Sequence, residues 1–128
     1  MLLFVLIFLA VSLLAAIMQT VADIRMHRYR KNRTSQFIRV GLWKYSRHPN
    51  YLGEILMWWG VGLSVFSLFP TAPYLLIGAL MNTMLFLSVS IPMADRRQSV
   101  KEGFERYKKE TRMLIPIKRF KKIDTDAP

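Results

Sequence analysis

The sequence has no cysteine, only two histidines and few acidic residues. Without cysteine it can form neither disulfides nor thiolate metal sites. His27 and His48 lack the His-x-x-x-His spacing of a helical zinc site, so no metal site is predicted. Eight acidic residues stand against 19 basic ones, which gives the 128-residue chain a formal net charge of +11. Such a charge indicates an anionic partner, and its position along the chain decides which kind.

Charge is also missing from three long stretches of the chain. Residues 1–22 and 72–93 contain no charged side chain, and residues 52–69 contain only Glu54. At about 1.5 Å per residue, each stretch approaches or exceeds the thickness of a hydrocarbon core of about 30 Å. The sequence therefore predicts an all-α, polytopic membrane protein with three transmembrane helices. A signal peptide is the alternative for the first stretch, but the stretch lacks a basic start and a small-residue cleavage site.

The basic residues form two clusters that predict the orientation. Eight lie within residues 25–47 and eleven within residues 96–122, which accounts for all of them. Positively charged loops stay in the cytoplasm, so both clusters are predicted there, with the N-terminus outside and the C-terminus inside. We therefore expect an integral protein of a bacterial inner membrane or of the endoplasmic reticulum.

A basic segment with a sparse apolar stripe follows the third helix. Met93, Val100, Phe104 and Tyr107 are spaced by seven, four and three residues, which is typical of one helical face. The spacing predicts a cytoplasmic amphipathic helix that lies on the membrane surface or folds back over the helices. Residues 1–117 are predicted to form one membrane domain, and residues 118–128 a basic, disordered tail.

Two groups of polar residues are candidates for a binding site. Asp23 and Arg30 share one face of the extension of the first helix, and an acid at a membrane boundary needs a partner or a ligand. Residues 47–54 combine guanidinium, imidazole, amide, phenol and carboxylate groups at the start of the second helix, where free N–H groups favour anions. Contact with lipid phosphates would explain Arg47 equally well, whereas Glu54 inside the helix needs a desolvated partner.

The second group resembles a known motif. Arg-His-Pro-Asn-Tyr-Leu-Gly-Glu at residues 47–54, preceded by Gly-Leu-Trp at 41–43 and followed by Trp-Trp-Gly at 58–60, is similar to the C-terminal region of the steroid 5-alpha-reductase and sterol-reductase family. Asp23 and the segment 92–97 also fit that family's pattern. The resemblance extends over most of the chain.

The wider superfamily offers a second branch. It includes isoprenylcysteine carboxyl methyltransferases and phospholipid methyltransferases, which share the Arg-His-Pro-x-Tyr core and bind S-adenosylmethionine. Asn50, Glu54 and the upstream acid resemble the reductases more than the methyltransferases. On this motif we therefore favour the reductase branch over methyl transfer.

The resemblance implies an NADPH-dependent reductase of an activated C=C bond in a sterol-like or isoprenoid lipid. Tyr51 and Glu54 are the predicted catalytic residues. Tyr45 and Tyr51 are the phenols available for proton donation, and we favour Tyr51. The positions that match cofactor contacts in the family, and would hold NADP(H), are Asp23, Arg30, Arg47, His48, Asn50, Tyr51, Glu54, Arg96 and Arg97.

Two other functions stay open. One is a methyltransferase that uses S-adenosylmethionine on a lipid or prenylated substrate, and the other is a non-catalytic membrane protein that binds anionic lipid. The expected partners are a lipid-soluble small molecule and membrane lipid. Nucleic acid is discounted, because the aromatic neighbours of the basic residues lie at membrane boundaries.

Family members carry additional N-terminal helices that build part of the substrate pocket. We therefore expect this chain to be a fragment, to assemble with another chain or with a second copy of itself, or to use a different substrate site.

Overall fold

The computed structural model describes residues 1–117, so the predicted tail at residues 118–128 lies outside the described residues. The described part is helical and contains no strand. Two short 3₁₀ turns, Gly41–Lys44 and Pro73–Leu76, precede α2 and α3, and a π-helical turn, Phe86–Ser90, joins α3 to α4. The α-helices are α1 (Leu2–Lys31), α2 (Pro49–Leu68), α3 (Ile77–Leu85), α4 (Ile91–Gln98) and α5 (Phe104–Glu110).

Three helical stretches are long and apolar enough to cross a membrane. They are Leu2–Lys31, Pro49–Leu68 and Pro73–Gln98, the last of which runs continuously from the 3₁₀ turn through α4. Most of their apolar surface faces outward, as expected for helices in contact with lipid. This confirms the prediction of an all-α membrane protein in two respects: the described part is helical, and three of its helical stretches could span a membrane.

α1 and α2 pack antiparallel at very short range. A Cβ added to Gly60 would collide with the Ser12 hydroxyl, and one added to Gly53 would lie 2.8 Å from the Ala15 carbonyl oxygen. The Ser12 hydroxyl also donates a hydrogen bond of 2.8 Å to the Met57 carbonyl. Small residues permit this approach of two backbones within a membrane. The contact sets the start of α2 beside the second half of α1, where the candidate site lies.

The third spanning stretch is linked to α2 by a side-chain hydrogen bond. The Trp59 indole N–H donates to the Thr83 hydroxyl at 2.6 Å, and that hydroxyl donates to the Ala79 carbonyl at 2.9 Å. Because no water competes for these groups in a bilayer, the bond helps to fix the rotation of α3 against α2. The same rotation brings the later Phe86 ring onto Tyr51 of α2.

The structure differs from the predicted single amphipathic helix. α4 ends at Gln98, and α5 begins only at Phe104, after Gly103 with φ +79°. Side chains avoid that backbone conformation, so a glycine there interrupts the helix. Val100 is consequently 86% exposed, whereas Phe104 and Tyr107 are buried against Phe37. The basic segment folds back over the site as a separate short helix.

Candidate functional site

A cavity of about 560 Å³ lies where the second half of α1, the start of α2, the end of α4 and α5 meet. Its volume falls within the usual range of small-molecule sites. Of the nine site residues predicted from the sequence, seven line it: Asp23, Arg30, Arg47, His48, Asn50, Tyr51 and Arg97. The structure therefore brings both predicted polar groups to one site.

Asp95 of α4 is the centre of the polar network in this cavity. Its carboxylate accepts a hydrogen bond from His48 Nε2 at 2.9 Å and one from Arg47 Nη2 at 3.3 Å. The side chains of His48, Arg47 and Asp95 are only about a tenth exposed. The carboxylate thus fixes the imidazole and compensates a desolvated guanidinium.

Arg47 is occupied mainly by the protein itself. Its Nη1 donates to the carbonyl oxygens of Lys108 at 3.0 Å and Thr111 at 3.3 Å, and its backbone N–H donates to the Arg112 carbonyl at 2.9 Å. Only Nε is buried without a partner. Arg47 therefore fastens the chain after α5 to the start of α2, and it does not present a free guanidinium fork to a phosphate.

Tyr107 closes the same wall from α5. Its hydroxyl donates to the carbonyl oxygens of Trp43 at 2.5 Å and Ser46 at 3.3 Å. Burial raises the pKa of the Tyr107 phenol above its usual range, and the charge of the nearby Arg47 only partly offsets this effect. The group is a neutral hydrogen-bond donor that anchors the wall.

Two buried amide oxygens in the cavity wall have no hydrogen-bond partner among residues 1–117. Asn50 donates from Nδ2 to Asp23 Oδ1 at 3.1 Å, which leaves its own Oδ1 unsatisfied. Gln98 Oε1 is also buried and unpaired. Because buried polar atoms are nearly always hydrogen-bonded, these two acceptors indicate a ligand or water with N–H or O–H groups.

One side of the cavity is strongly basic. Arg30, Arg33, Arg97 and Lys101 line it, and within residues 1–117 none of them takes part in an ion pair. Burial lowers the pKa of the Lys101 ammonium, and the charges of Arg33 and Arg30 lower it further. The positive potential on this side favours a ligand with an anionic group.

His48 and Tyr51 bring stacked aromatic rings to the lining of the cavity. The His48 and Tyr51 rings stack with their centroids 5.1 Å apart and an angle of 4° between their planes. The Tyr51 ring also contacts Phe86, with the centroids 4.8 Å apart. Stacking and the bond to Asp95 together fix the orientation of the imidazole at the cavity surface.

Two predicted site residues do not line the cavity. Glu54 is half-buried one turn further along α2, and Arg96 is exposed on α4. Sequence reasoning assigned no role to Asp95, although one signal was available. An acid that ends a long uncharged stretch at a membrane boundary needs a partner, which is the argument that singled out Asp23.

Comparison with known proteins places the chain in a family. The family described as "Protein of unknown function (DUF1295)" matches residues 2–111, which include the five α-helices of the described part and all residues that line the cavity. The chain belongs to this family. The match to this family does not assign an activity, because the family's description names none.

One relative of this DUF1295 protein is named for an activity. The methanethiol S-methyltransferase 1 of Bradyrhizobium diazoefficiens is 31% identical over 78 residues, which cover 61% of this chain and 25% of that protein. The chain therefore spans about a quarter of the length of the relative it matches. No solved structure matches the chain.

These findings correct the choice between the two branches of the superfamily. The similarity is to a methyltransferase, so it supports the methyltransferase branch and gives no support to the steroid 5-alpha-reductase family. It also supports an enzyme in place of a non-catalytic lipid-binding protein. The reductase, the oxidoreductase class and NADP(H) stay without support from any relative.

Proposed function

We propose that this chain is a membrane-embedded methyltransferase that binds S-adenosylmethionine in the cavity and methylates a small thiol. The thiol is taken from the name of the similar methyltransferase. The observation that carries the proposal is the cavity itself, which joins unsatisfied acceptors, aromatic rings and a basic side in one site of ligand size.

The donor set fits S-adenosylmethionine group by group. The unpaired oxygens of Asn50 and Gln98 suit the N–H and O–H groups of a nucleoside, and the Asp23 carboxylate suits ribose hydroxyls. The aromatic rings that line the cavity suit a positively charged sulfur. Arg30 suits the ligand's carboxylate. Bound there, S-adenosylmethionine would supply an electrophilic methyl group.

The His48 and Asp95 pair can accept a proton from the acceptor substrate. The Asp95 carboxylate can only accept a hydrogen bond, so His48 Nε2 carries the proton and Nδ1 is the basic atom. A thiol becomes a strong nucleophile only when it loses its proton. The unpaired cations on the basic side of the cavity favour the resulting thiolate.

Methyl transfer in a reconstituted system tests the proposal. The protein in lipid nanodiscs would receive tritium-labelled S-adenosylmethionine together with an alkyl thiol, a prenylated cysteine or phosphatidylethanolamine. We expect labelling of the alkyl thiol, and a fall of about a hundredfold for His48→Gln because general-base catalysis is removed. The matched control is Arg106→Gln, since Arg106 lies outside the cavity. No labelling of any acceptor would contradict the proposal.

One observation favours the reductase as a second candidate. The four cations on the basic side also suit the phosphates of NADPH, because guanidinium groups match phosphate oxygens. This candidate predicts oxidation of NADPH by an isoprenoid with an activated C=C bond, and no methyl transfer. Of the three tyrosines that line the cavity, Tyr51 is the one predicted to donate the proton in that case.

The remaining expectations stay proposals. We propose one membrane domain over residues 1–117, a lipid-soluble acceptor that enters from the bilayer, and a cavity that opens to the cytoplasm. We also propose that the chain assembles with a second chain, which would add walls to this cavity.

A further inference from the structure

A second cleft lies on the other side of α1 from the cavity. Its volume is about 360 Å³, and it is lined chiefly by Arg25, Arg28, Arg39, Thr34 and Ser35. Tyr29 lines both the cleft and the cavity, so one side chain separates them. None of the site residues predicted from the sequence lines the cleft, and the proposed methyl transfer assigns it no role.

The cleft concentrates positive charge without compensation. No acidic residue lines it, and within residues 1–117 Arg25, Arg28 and Arg39 take part in no ion pair. The Arg25 guanidinium lies against Gly41, whose Cβ position would be 3.6 Å from Cζ. Arg39 lies over the Phe37 ring, 5.0 Å from its centroid. Two of the three cations are thus held in place by packing.

The length of the first uncharged run predicts that the cleft lies at the depth of lipid headgroups. The uncharged residues 1–22 rise about 33 Å as a helix, so Arg25 follows directly after a hydrocarbon core of about 30 Å. Val40 beside the arginines is 52% exposed, and Tyr45 in the next turn is 37% exposed. Apolar and aromatic side chains of this kind are typical of the membrane interface.

Helix stabilisation accounts for at most one of these arginines, because Arg28 lies in the last turn of α1 whereas Arg25 and Arg39 do not. Cations interact with a helix dipole only in its last turn, and Arg25 lies well before the end of α1 at Lys31. A topology signal requires charge on one side of the membrane, but it does not require three guanidinium groups around one cleft.

We propose that the cleft binds the phosphate of an anionic lipid headgroup. The arginines supply bidentate donors for the phosphate oxygens, Thr34 supplies a hydroxyl donor, and exposed Val40 contacts the apolar part of the lipid. A bound lipid would contact Tyr29 on the side that faces away from the cavity, and it would thereby support this part of the cavity wall. The cleft and the cavity would then be separate sites with separate ligands.

Native mass spectrometry of the full chain tests this site. The protein would be released from micelles that contain equal amounts of phosphatidylglycerol and phosphatidylcholine. We expect wild type to retain phosphatidylglycerol, and R25Q/R28Q to lose this preference by roughly tenfold or more, as expected for removing two cations from an anionic surface. The matched control is K31Q/R112Q, which removes the same charge from residues outside both the cleft and the cavity.

A second arm adds inorganic phosphate, as the probe, to the protein in the same phosphatidylglycerol and phosphatidylcholine micelles. Inorganic phosphate should displace phosphatidylglycerol from wild type and from K31Q/R112Q, and it should have no such effect on R25Q/R28Q. This result supports a phosphate site that is filled by lipid. Phosphate binding without any retained phosphatidylglycerol overturns the assignment to lipid and assigns the site to a soluble phosphate. Equal losses in the two double variants, or equal retention of both lipids by wild type, overturn the site.

Discussion

Asp95 joins segments that lie far apart in the sequence. It bonds to His48, 47 residues away, and to Arg47, whose guanidinium holds one carbonyl in the last turn of α5 and one just after that helix. A change at this carboxylate therefore affects both the imidazole and the chain that covers the cavity.

We expect Asp95→Asn to lower the free energy of unfolding by about 3 kcal/mol, because the mutation leaves a desolvated guanidinium without its counter-charge. Arg106→Gln is the control, since it breaks the ion pair between Arg106 and Glu110 at the surface. Chemical unfolding of both variants in the same detergent checks this. Equal stability of the two variants would show that the buried pair adds nothing.

Tyr107 makes stability depend on alkaline pH. The folded protein holds the phenol protonated at pH values where an unfolded tyrosine ionises, because burial raises the Tyr107 pKa. The contribution is full below pH of about 10 and is lost as the pH rises through the higher pKa of the folded state.

We expect Tyr107→Phe to lose about 1 kcal/mol at neutral pH, since two carbonyls lose their donor. The variant should then lose less further stability than wild type between pH 9 and pH 11. Unfolding measured at both pH values checks this. Parallel losses in the two proteins would contradict the assigned pKa shift.

At the scale of elements, the contact between α1 and α2 depends on a glycine. Gly60 has no room for a Cβ against Ser12 and the Phe8 carbonyl, whereas nothing lies within 4 Å of the Cβ position of Gly78 in α3. The two helical glycines therefore make a matched pair.

We expect Gly60→Ala to destabilise the protein by about 1–3 kcal/mol, because the helices must move apart. Gly78→Ala should stabilise it by roughly 0.5 kcal/mol or more, since alanine favours the helix and meets no neighbour. Thermal unfolding in detergent compares the two. A neutral Gly60→Ala would show that α1 and α2 do not pack at this distance.

The sequence predicts the elements better than their arrangement. Uncharged runs are a local property, and they located all three spanning helices. The break between α4 and α5 could not be predicted, because the stripe from Met93 to Tyr107 fits one continuous helix. The break depends on the backbone of Gly103 and on docking against Phe37, a contact between distant parts of the chain.

The same reasoning applies to the site. Asp23, His48 and Asn50 were found because each lies in a local pattern of polar groups. The partner of His48 was not found, because it lies on another spanning stretch whose rotation the sequence does not reveal. Glu54 shares a helical face with Asn50, yet the cavity ends before it.

At the scale of the whole molecule, the charge distribution predicts the orientation. The chain has no cysteine, so single cysteines introduced on either side report without background. We expect Thr71→Cys to react with a membrane-impermeant maleimide on intact cells and Glu102→Cys to react only after the membrane is opened. The reverse pattern would place both basic clusters outside.

The central claim is that the cavity is a methyl-donor site, and equilibrium binding in nanodiscs tests it most directly. Isothermal titration would compare S-adenosylhomocysteine with NADPH, using wild type and Asn50→Leu, which removes an unpaired acceptor from the wall. We expect S-adenosylhomocysteine to bind wild type and NADPH not to bind. Asn50→Leu should bind S-adenosylhomocysteine at least about tenfold more weakly, as expected for a lost buried hydrogen bond. Binding of NADPH without binding of S-adenosylhomocysteine would show that the cavity is not a methyl-donor site.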